Sequence, residues 1–373
     1  MSSHGGTVVL MEKTKITVPN GMRDLVFEEV NAEKRLEDRL ERLFGALGYK
    51  PVRTPAVEYI GVFDRSKGFI DEREMYKLTD VDGRLVALRP DNTAPIARLV
   101  STKLHEEPLP LLIRYSQRVY RNNAAFNACR NEIMQCGVED IGGKSEEEDL
   151  RILFTAFEAL SLCGGDYKIE IGHSAFFDSL IEGLELSPDE KSAVKGYLAA
   201  KNSSMIPFTV KDSQRRAYEL ARTLPRLCGG REVLDRARTL AGGNADATRI
   251  LDYVEYLYGA FVDGGYGDRV IIDLGIVQTM EYYTGMVFKG YIAGIGEPVL
   301  SGGRYDRLLS GFGRSLPACG FALDVSDIAH FNVNSQPCGE KAASPMDFSA
   351  GGESLRRARE RLYTELNAGG AGE

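Results

Sequence analysis

The sequence has no C-x-x-C pair, no H-E-x-x-H, no apolar run long enough to span a bilayer and no surplus of positive charge. Each absence excludes something. Six cysteines (Cys129, Cys136, Cys163, Cys228, Cys319, Cys338) scattered over 373 residues suggest neither a zinc site nor a disulfide framework. Four dispersed histidines (His4, His105, His173, His330) lack the spacing of metal ligands. No metal and no cofactor are therefore expected. The N-terminal MSSHGGTVVLMEKTK lacks the charged, apolar and small-residue order of a signal peptide. With no membrane span either, a cytoplasmic chain is expected. A formal net charge of -8 argues against a chain that wraps nucleic acid, although an acidic protein can still carry one basic face.

What is present is ordinary globular usage, 43% hydrophobic and 27% charged, enough for one large domain with an insertion or for two to three small ones. An arm over residues 1–19 leads to Gly21-Met22-Arg23-Asp24 and a helix from Glu28 to Leu47. Its Leu36, Leu40, Leu43, Phe44 and Leu47 share one face, which suits the core or a subunit interface equally, and Gly48 closes it. Asp82-Gly83 marks a hairpin between Met75 and Leu88. In Arg89-Pro90-Asp91-Asn92-Thr93, Asn92 or Thr93 can cap the next helix, so Asp91 and Thr93 are either capping residues or ligand contacts. Ser145-Glu146-Glu147-Glu148 opens a further helix as a capping box, and Tyr167 to Gly172 reads as a buried strand. Residues 175–264 carry a helix-only pattern, a helical insertion. Strand pattern then resumes at Arg269–Leu274, Met286–Ile292, Val299–Ser301 and Cys319–Leu323. Residues 331–373 form a short tail that is expected to be partly disordered, with a possible helix at Leu355–Leu366.

The stretch Arg114 to Gly142 organises the rest. Its two alternating runs predict a long hairpin whose inward positions include Arg121, Gln135 and Glu139. A guanidinium, a carboxamide and a carboxylate on one sheet face suit a small zwitterion, while two plain strands with a solvated loop remain the alternative. Gly302-Gly303 permits close backbone approach to a ligand or makes a plain turn. Tyr282 and Tyr283, adjacent on a strand, point to opposite faces, so only one can line a given pocket.

Five segments together, Gly21-Met22-Arg23-Asp24, Arg89 to Thr93, the central hairpin, Tyr282-Tyr283-Thr284-Gly285 and Gly302-Gly303-Arg304-Tyr305-Asp306, resemble the catalytic domain of histidyl-tRNA synthetases. They occur in the right order over roughly residues 17 to 330. The resemblance implies an α+β, class II aminoacyl-tRNA synthetase-like core over residues 20–330, an antiparallel sheet flanked by helices and interrupted by the insertion. It also implies a histidine pocket at the positions of Asp91, Thr93, Arg121, Gln135, Glu139, Tyr282 and Tyr283.

The ATP side of that family's site departs from the pattern. Arg121 is kept, but Asn123 stands at a Glu position, Cys129 at a loop arginine, Gln278 at the arginine before the tyrosine pair, and Asp327 at the phosphate-gripping arginine. Opposite charges ~4 Å apart attract by about 4 kcal/mol at an effective dielectric of 20, and a reversed sign turns this into comparable repulsion. An Asp at that place opposes a triphosphate. No counterpart of the family's anticodon-binding domain is expected in the short tail after Ala329.

A synthetase-like core with these departures resembles the regulatory subunits of ATP phosphoribosyltransferase. That resemblance implies a non-catalytic chain partnered with a short-form catalytic subunit at the first step of histidine biosynthesis. It further implies L-histidine as effector, self-association as a dimer within a hetero-oligomer, and no tRNA. The alternatives are a working histidyl-tRNA synthetase whose anticodon domain lies on another chain, and a free-standing histidine- or tRNA-binding protein.

Overall fold

The computed structural model describes residues 17–64, 72–123, 130–143, 146–182, 184, 186–199, 212–276 and 283–334. The expectations for most of the N-terminal arm, for Cys129, Ser145, Gln278 and Tyr282, and for the tail helix lie outside these residues. In chain order the elements are α1 (Glu28–Ala46), β1 (Lys50–Pro51), β2 (Val57–Tyr59), α2 (Gly61–Asp64), β3 (Lys77–Thr79), β4 (Leu85–Leu88), α3 (Thr93–Thr102), β5 (Leu111–Tyr120), β6 (Glu132–Ile141) and α4 (Glu146–Leu162). There follow β7 (Tyr167–His173), α5 (Phe176–Ile181), α6 (Pro188–Ala199), α7 (Asp212–Thr223), β8 (Cys228–Gly229), α8 (Glu232–Ala241), α9 (Ala245–Asp263), β9 (Val270–Asp273), β10 (Met286–Ile292), β11 (Leu300–Arg304), β12 (Ala318–Asp324) and α10 (Val325–Asn334).

The predicted central hairpin is β5 paired antiparallel with β6, and it is longer than the alternating run suggested. In β5 every second residue from Leu111 to Val119 is buried, as a strand with one covered face requires. Around this pair a nine-stranded sheet runs β1-β5-β6-β12-β11-β10-β7-β9-β8. It is antiparallel except at the β1–β5 and β7–β9 pairs. A smaller sheet, β2-β4-β3, carries the Asp82-Gly83 hairpin.

One face of the large sheet, with Val138, Phe288, Phe321 and Leu323, packs with Leu40, Leu43 and Phe44 of α1 and with Leu153 and Phe157 of α4 in a single cluster. Burying a side chain of this size stabilises by roughly 1.5–3 kcal/mol. The apolar face of α1 is therefore committed to the core. On the opposite face Ile113, Tyr115 and Ala318 pack with Ile96, Ala97 and Val100 of α3 and with Leu308 and Leu309. That second cover stops short of Gln117, Gln135 and Asp324, and leaves polar side chains at this end of the sheet.

The stretch 175–264 is not purely helical. Besides α5 to α9 it contains β8, which adds to the sheet edge with Cys228 opposite Asp273 and Gly229 opposite Ile272. The short 3-10 turn Leu224–Arg226 delivers the chain to the otherwise unpaired side of β9, where backbone groups need partners. The apolar residues of the insertion, such as Leu220, Leu234 and Leu251, belong to the same cluster as Ile169 and Ile272 of the sheet. Its helix α6 opens on a capping box in which the Ser187 N–H donates to Glu190 (2.8 Å) and the Glu190 N–H to Ser187 Oγ (3.3 Å).

Candidate amino-acid site

Strand register builds a hollow on the sheet. Ile113, Glu139, Gly320, Gly303, Val287 and Gly172 lie side by side across six strands. Glu139 therefore stands beside two glycines. A Cβ on Gly320 would lie 1.8 Å from Glu139 Oε2, and one on Gly303 would lie 2.7 Å from the Tyr283 ring. Only glycine at these positions lets the carboxylate and the tyrosine lie over the strands.

The Glu139 carboxylate is 1% exposed. It accepts from Thr93 Oγ1 at 2.9 Å and from the Tyr305 hydroxyl through a short contact. Burial, opposed by these two bonds, pushes its pKa up to about 8. Asp91 is also buried. Its Oδ1 accepts the Ala94 N–H at 2.9 Å, so Asp91 caps α3, while Oδ2 is buried without a hydrogen-bond partner. Desolvation lifts this carboxyl to about 6, and the bond from Ala94 and the Arg121 charge oppose the rise. Arg121 is anchored by Nε to the Pro90 carbonyl at 3.1 Å.

The expected cap at Asn92 or Thr93 is thus corrected, because both side chains are drawn into the sheet. Thr93 reaches Glu139. Asn92 joins Gln135 (3.4 Å) and Gln117 (3.1 Å). Gln117 Oε1 in turn accepts from the Thr54 N–H (2.7 Å) and Arg89 Nη1 (3.0 Å). Gln135 Nε2 donates to Asp324 Oδ1 at 2.8 Å. Asp324 keeps an edge open to solvent, yet desolvation raises its pKa, opposed by the Arg121 charge and the Gln135 bond.

Asp91, Thr93, Arg121, Gln135, Glu139 and Tyr283 are therefore brought to one end of one sheet face, and Tyr282 lies outside the described residues. Asp324 and Tyr305 were missed by sequence reasoning. Period-two alternation from Gly320 through Ala322 would have put Asp324 on the same face. Tyr305 had no such signal, because it follows the strand end.

Where an ATP phosphate would need positive charge, charges are already matched. Arg130 Nε pairs with Asp327 Oδ1 at 2.9 Å, and Arg130 Nη1 donates to the Ser326 carbonyl at 2.6 Å. Glu33 accepts from Arg118 (2.5 Å) and from Ser326 Oγ (2.9 Å). Two other features lie apart from this site. A cavity of about 570 Å3 sits between β7 and the insertion. At the far sheet edge, Glu170, Cys228 and Asp273 hold possible ligand atoms within 4.8 Å of one another, a grouping that sequence spacing did not reveal. All three have other interactions as well.

A mostly antiparallel sheet, helices on both faces and a polar pocket at its central hairpin define a class II synthetase-like protein. The histidyl-tRNA synthetase family model matches residues 21–328. A solved structure described as an ATP phosphoribosyltransferase regulatory subunit/histidyl-tRNA synthetase from Bacillus halodurans superposes with a TM-score of 0.76 at 30% identity, covering 86% of this chain and 84% of that one. A histidine–tRNA ligase subunit from Alicyclobacillus acidocaldarius gives 0.72 at 28%, covering 90% and 100%. An ATP phosphoribosyltransferase regulatory subunit from Clostridium acetobutylicum is 38% identical over 323 residues, 85% of this chain and 79% of that protein. One of the same name from Bacillus thuringiensis is 37% identical over 323 residues, 85% and 76%. The chain belongs to the histidyl-tRNA synthetase-like family, in its branch of ATP phosphoribosyltransferase regulatory subunits. Among the described residues no helix is long and apolar enough to cross a membrane.

Proposed function

We propose that this chain is a regulatory subunit of ATP phosphoribosyltransferase, that it carries no synthetase activity, and that its sheet pocket holds free histidine. The observation that carries the pocket is Asp91 Oδ2, a buried oxygen without a partner, set beside Glu139 and opposite Arg121. A buried acceptor left unmatched costs roughly 1–3 kcal/mol, which a ligand N–H removes. The ligand's ammonium goes to Asp91, its carboxylate to Arg121 and an imidazole nitrogen to Glu139, with Tyr283 as the aromatic wall. The Arg130–Asp327 pair supports the loss of ATP chemistry, because it leaves no net charge there for a phosphate.

The partner is a short-form catalytic subunit, and histidine couples to it by favouring the inhibited assembly, typically by about 1–3 kcal/mol. Self-association as a dimer within that assembly is part of the same reading. The test is threefold. Purified chain should bind histidine and not ATP in calorimetry, should give no histidine-dependent ATP–pyrophosphate exchange, and should raise the activity of a short-form catalytic subunit. Exchange activity would return the chain to the synthetases. Recovery of tRNA without a phosphoribosyltransferase subunit, on isolating the native protein, would refute the regulatory role.

A further inference from the structure

We propose that the cavity between the end of β7 and helices α5, α6 and α9 is a second small-molecule site, fitted to a zwitterion of amino-acid size. Its volume of about 570 Å3 lies in the range of ligand pockets, and Ile181 and Ile250 supply apolar wall. The charge pattern selects the ligand class. Of the charged residues lining it, Asp178 is paired with Lys195 at 2.9 Å and Asp246 with Arg249 through a short contact. Glu182 and Lys191 also line the cavity, and neither forms an ion pair among the described residues.

One carboxylate and one ammonium remain, the complement of an amino acid's two termini. A phosphorylated ligand would need clustered cations, and Lys191 alone does not supply them. His173 adds a neutral polar group. Its Nδ1 accepts the Ala175 N–H at 3.2 Å, which leaves the proton on Nε2, and burial holds its pKa down to about 4.

The wall is also rigid. Tyr253 stands edge-on to His173, with ring centres 5.8 Å apart, and its hydroxyl donates to Asp149 at 2.5 Å. Asp149 forms a buried ion pair with Arg304 at 2.7 Å. Arg304 directly precedes Tyr305, whose hydroxyl rests on Glu139. The two pockets are thus joined by these contacts and by the peptide bond between Arg304 and Tyr305.

The test is calorimetric titration of the full chain with L-histidine as the zwitterionic probe and adenosine monophosphate as the phosphorylated one. Two histidine equivalents per chain are expected. Lys191→Glu, at an exposed helix position, should weaken one of them at least tenfold, and Ile250→Trp, which fills the cavity, should remove the same one. Glu139→Ala should weaken only the other. Circular dichroism melting checks that each variant folds. Absence of any histidine binding that depends on Lys191 overturns the proposal, as does adenosine monophosphate binding that depends on Lys191. A single equivalent lost in Lys191→Glu and kept in Glu139→Ala supports the cavity and refutes the sheet pocket instead.

Discussion

The buried carboxyl of Glu139 should make this chain less stable as pH rises through neutrality, and one substitution isolates the effect. Burial lifts its pKa from an ordinary 4.5 to about 8. Between those values the unfolded chain has released this proton while the folded chain retains it, so raising the pH favours unfolding. The contribution is intact below 4.5 and is lost as pH climbs to 8. At ~1.4 kcal/mol per pH unit the interval amounts to about 5 kcal/mol as an upper figure, comparable with the whole stability of many domains. Asp91, lifted from 3.8 to about 6, adds a slope of the same sign at lower pH.

Glu139→Gln keeps the side-chain size, an oxygen that can accept from one of the two hydroxyls of Thr93 and Tyr305 and an amide N–H that can donate to the other, but it removes the titrating proton. Urea unfolding should be followed at about pH 5, 7 and 8.5. All other groups are common to the two proteins, so the difference between their curves reports on Glu139. The variant should gain on the parent by several kcal/mol between the lowest and highest pH, with unchanged m-values. Parallel pH dependences for parent and variant would refute the reasoning.

Three further outcomes follow from the same geometry. Gly320→Ala places a Cβ 1.8 Å from Glu139 Oε2 and 2.5 Å from the Val138 carbonyl, so it should cost about 1–3 kcal/mol in urea unfolding and abolish histidine binding in calorimetry. Arg304→Ala strands the buried Asp149 carboxylate and should cost about 3–5 kcal/mol, read in the same unfolding assay. Asp327→Arg sets two guanidinium groups together at Arg130. Because Asp327 is 40% exposed, the loss should stay near 1 kcal/mol, and because Asn123, Cys129 and Gln278 still depart from the synthetase pattern, calorimetry should detect no gain of ATP binding from this charge alone.

Much of this arrangement is legible in the residues. Alternation along Leu111 to Val119 identified the central strand, and the heptad-like spacing of Leu36, Leu40 and Leu43 identified α1, because each period matches one buried face. The placement of Arg121, Gln135 and Glu139 on one sheet face followed from the same alternation. Tertiary partners were not legible. Asn92 sits where a helix cap belongs, but Gln117 and Gln135 compete for its amide, and the capping role passes to Asp91. No local pattern announces such a contact, since the partners lie more than twenty residues away. The two-residue β8 is hidden for a similar reason: its pairing is dictated by the open edge of β9, not by its own Cys228-Gly229.

The two ends of the proposed site differ in how well their charges are satisfied, and that difference supports the sensing role proposed above. On the side facing Asp327 the polar groups are closed among themselves, with Arg130 on Asp327, and with Ser326 and Arg118 on Glu33. Such a cluster joins α1, β6 and α10 and has its cation at Arg130 already neutralised by Asp327. On the other side the Arg121 charge reaches Asp91 and Asp324, Glu139 lies near Asp91, and two of these three carboxyls have pKa values raised to about 6 and 8. A protein retains so unfavourable a set against the cost of desolvation when something supplies the missing positive charge. In the proposed role, the ammonium and imidazole of histidine would supply it. Because Glu139, raised to about 8, is the carboxyl that a cationic ligand would ionise near neutral pH, binding energy, its protonation and the contact of Tyr305 with it would change together in the proposed role. In the regulatory role proposed above, a linkage of this kind would transmit the histidine concentration to the partner.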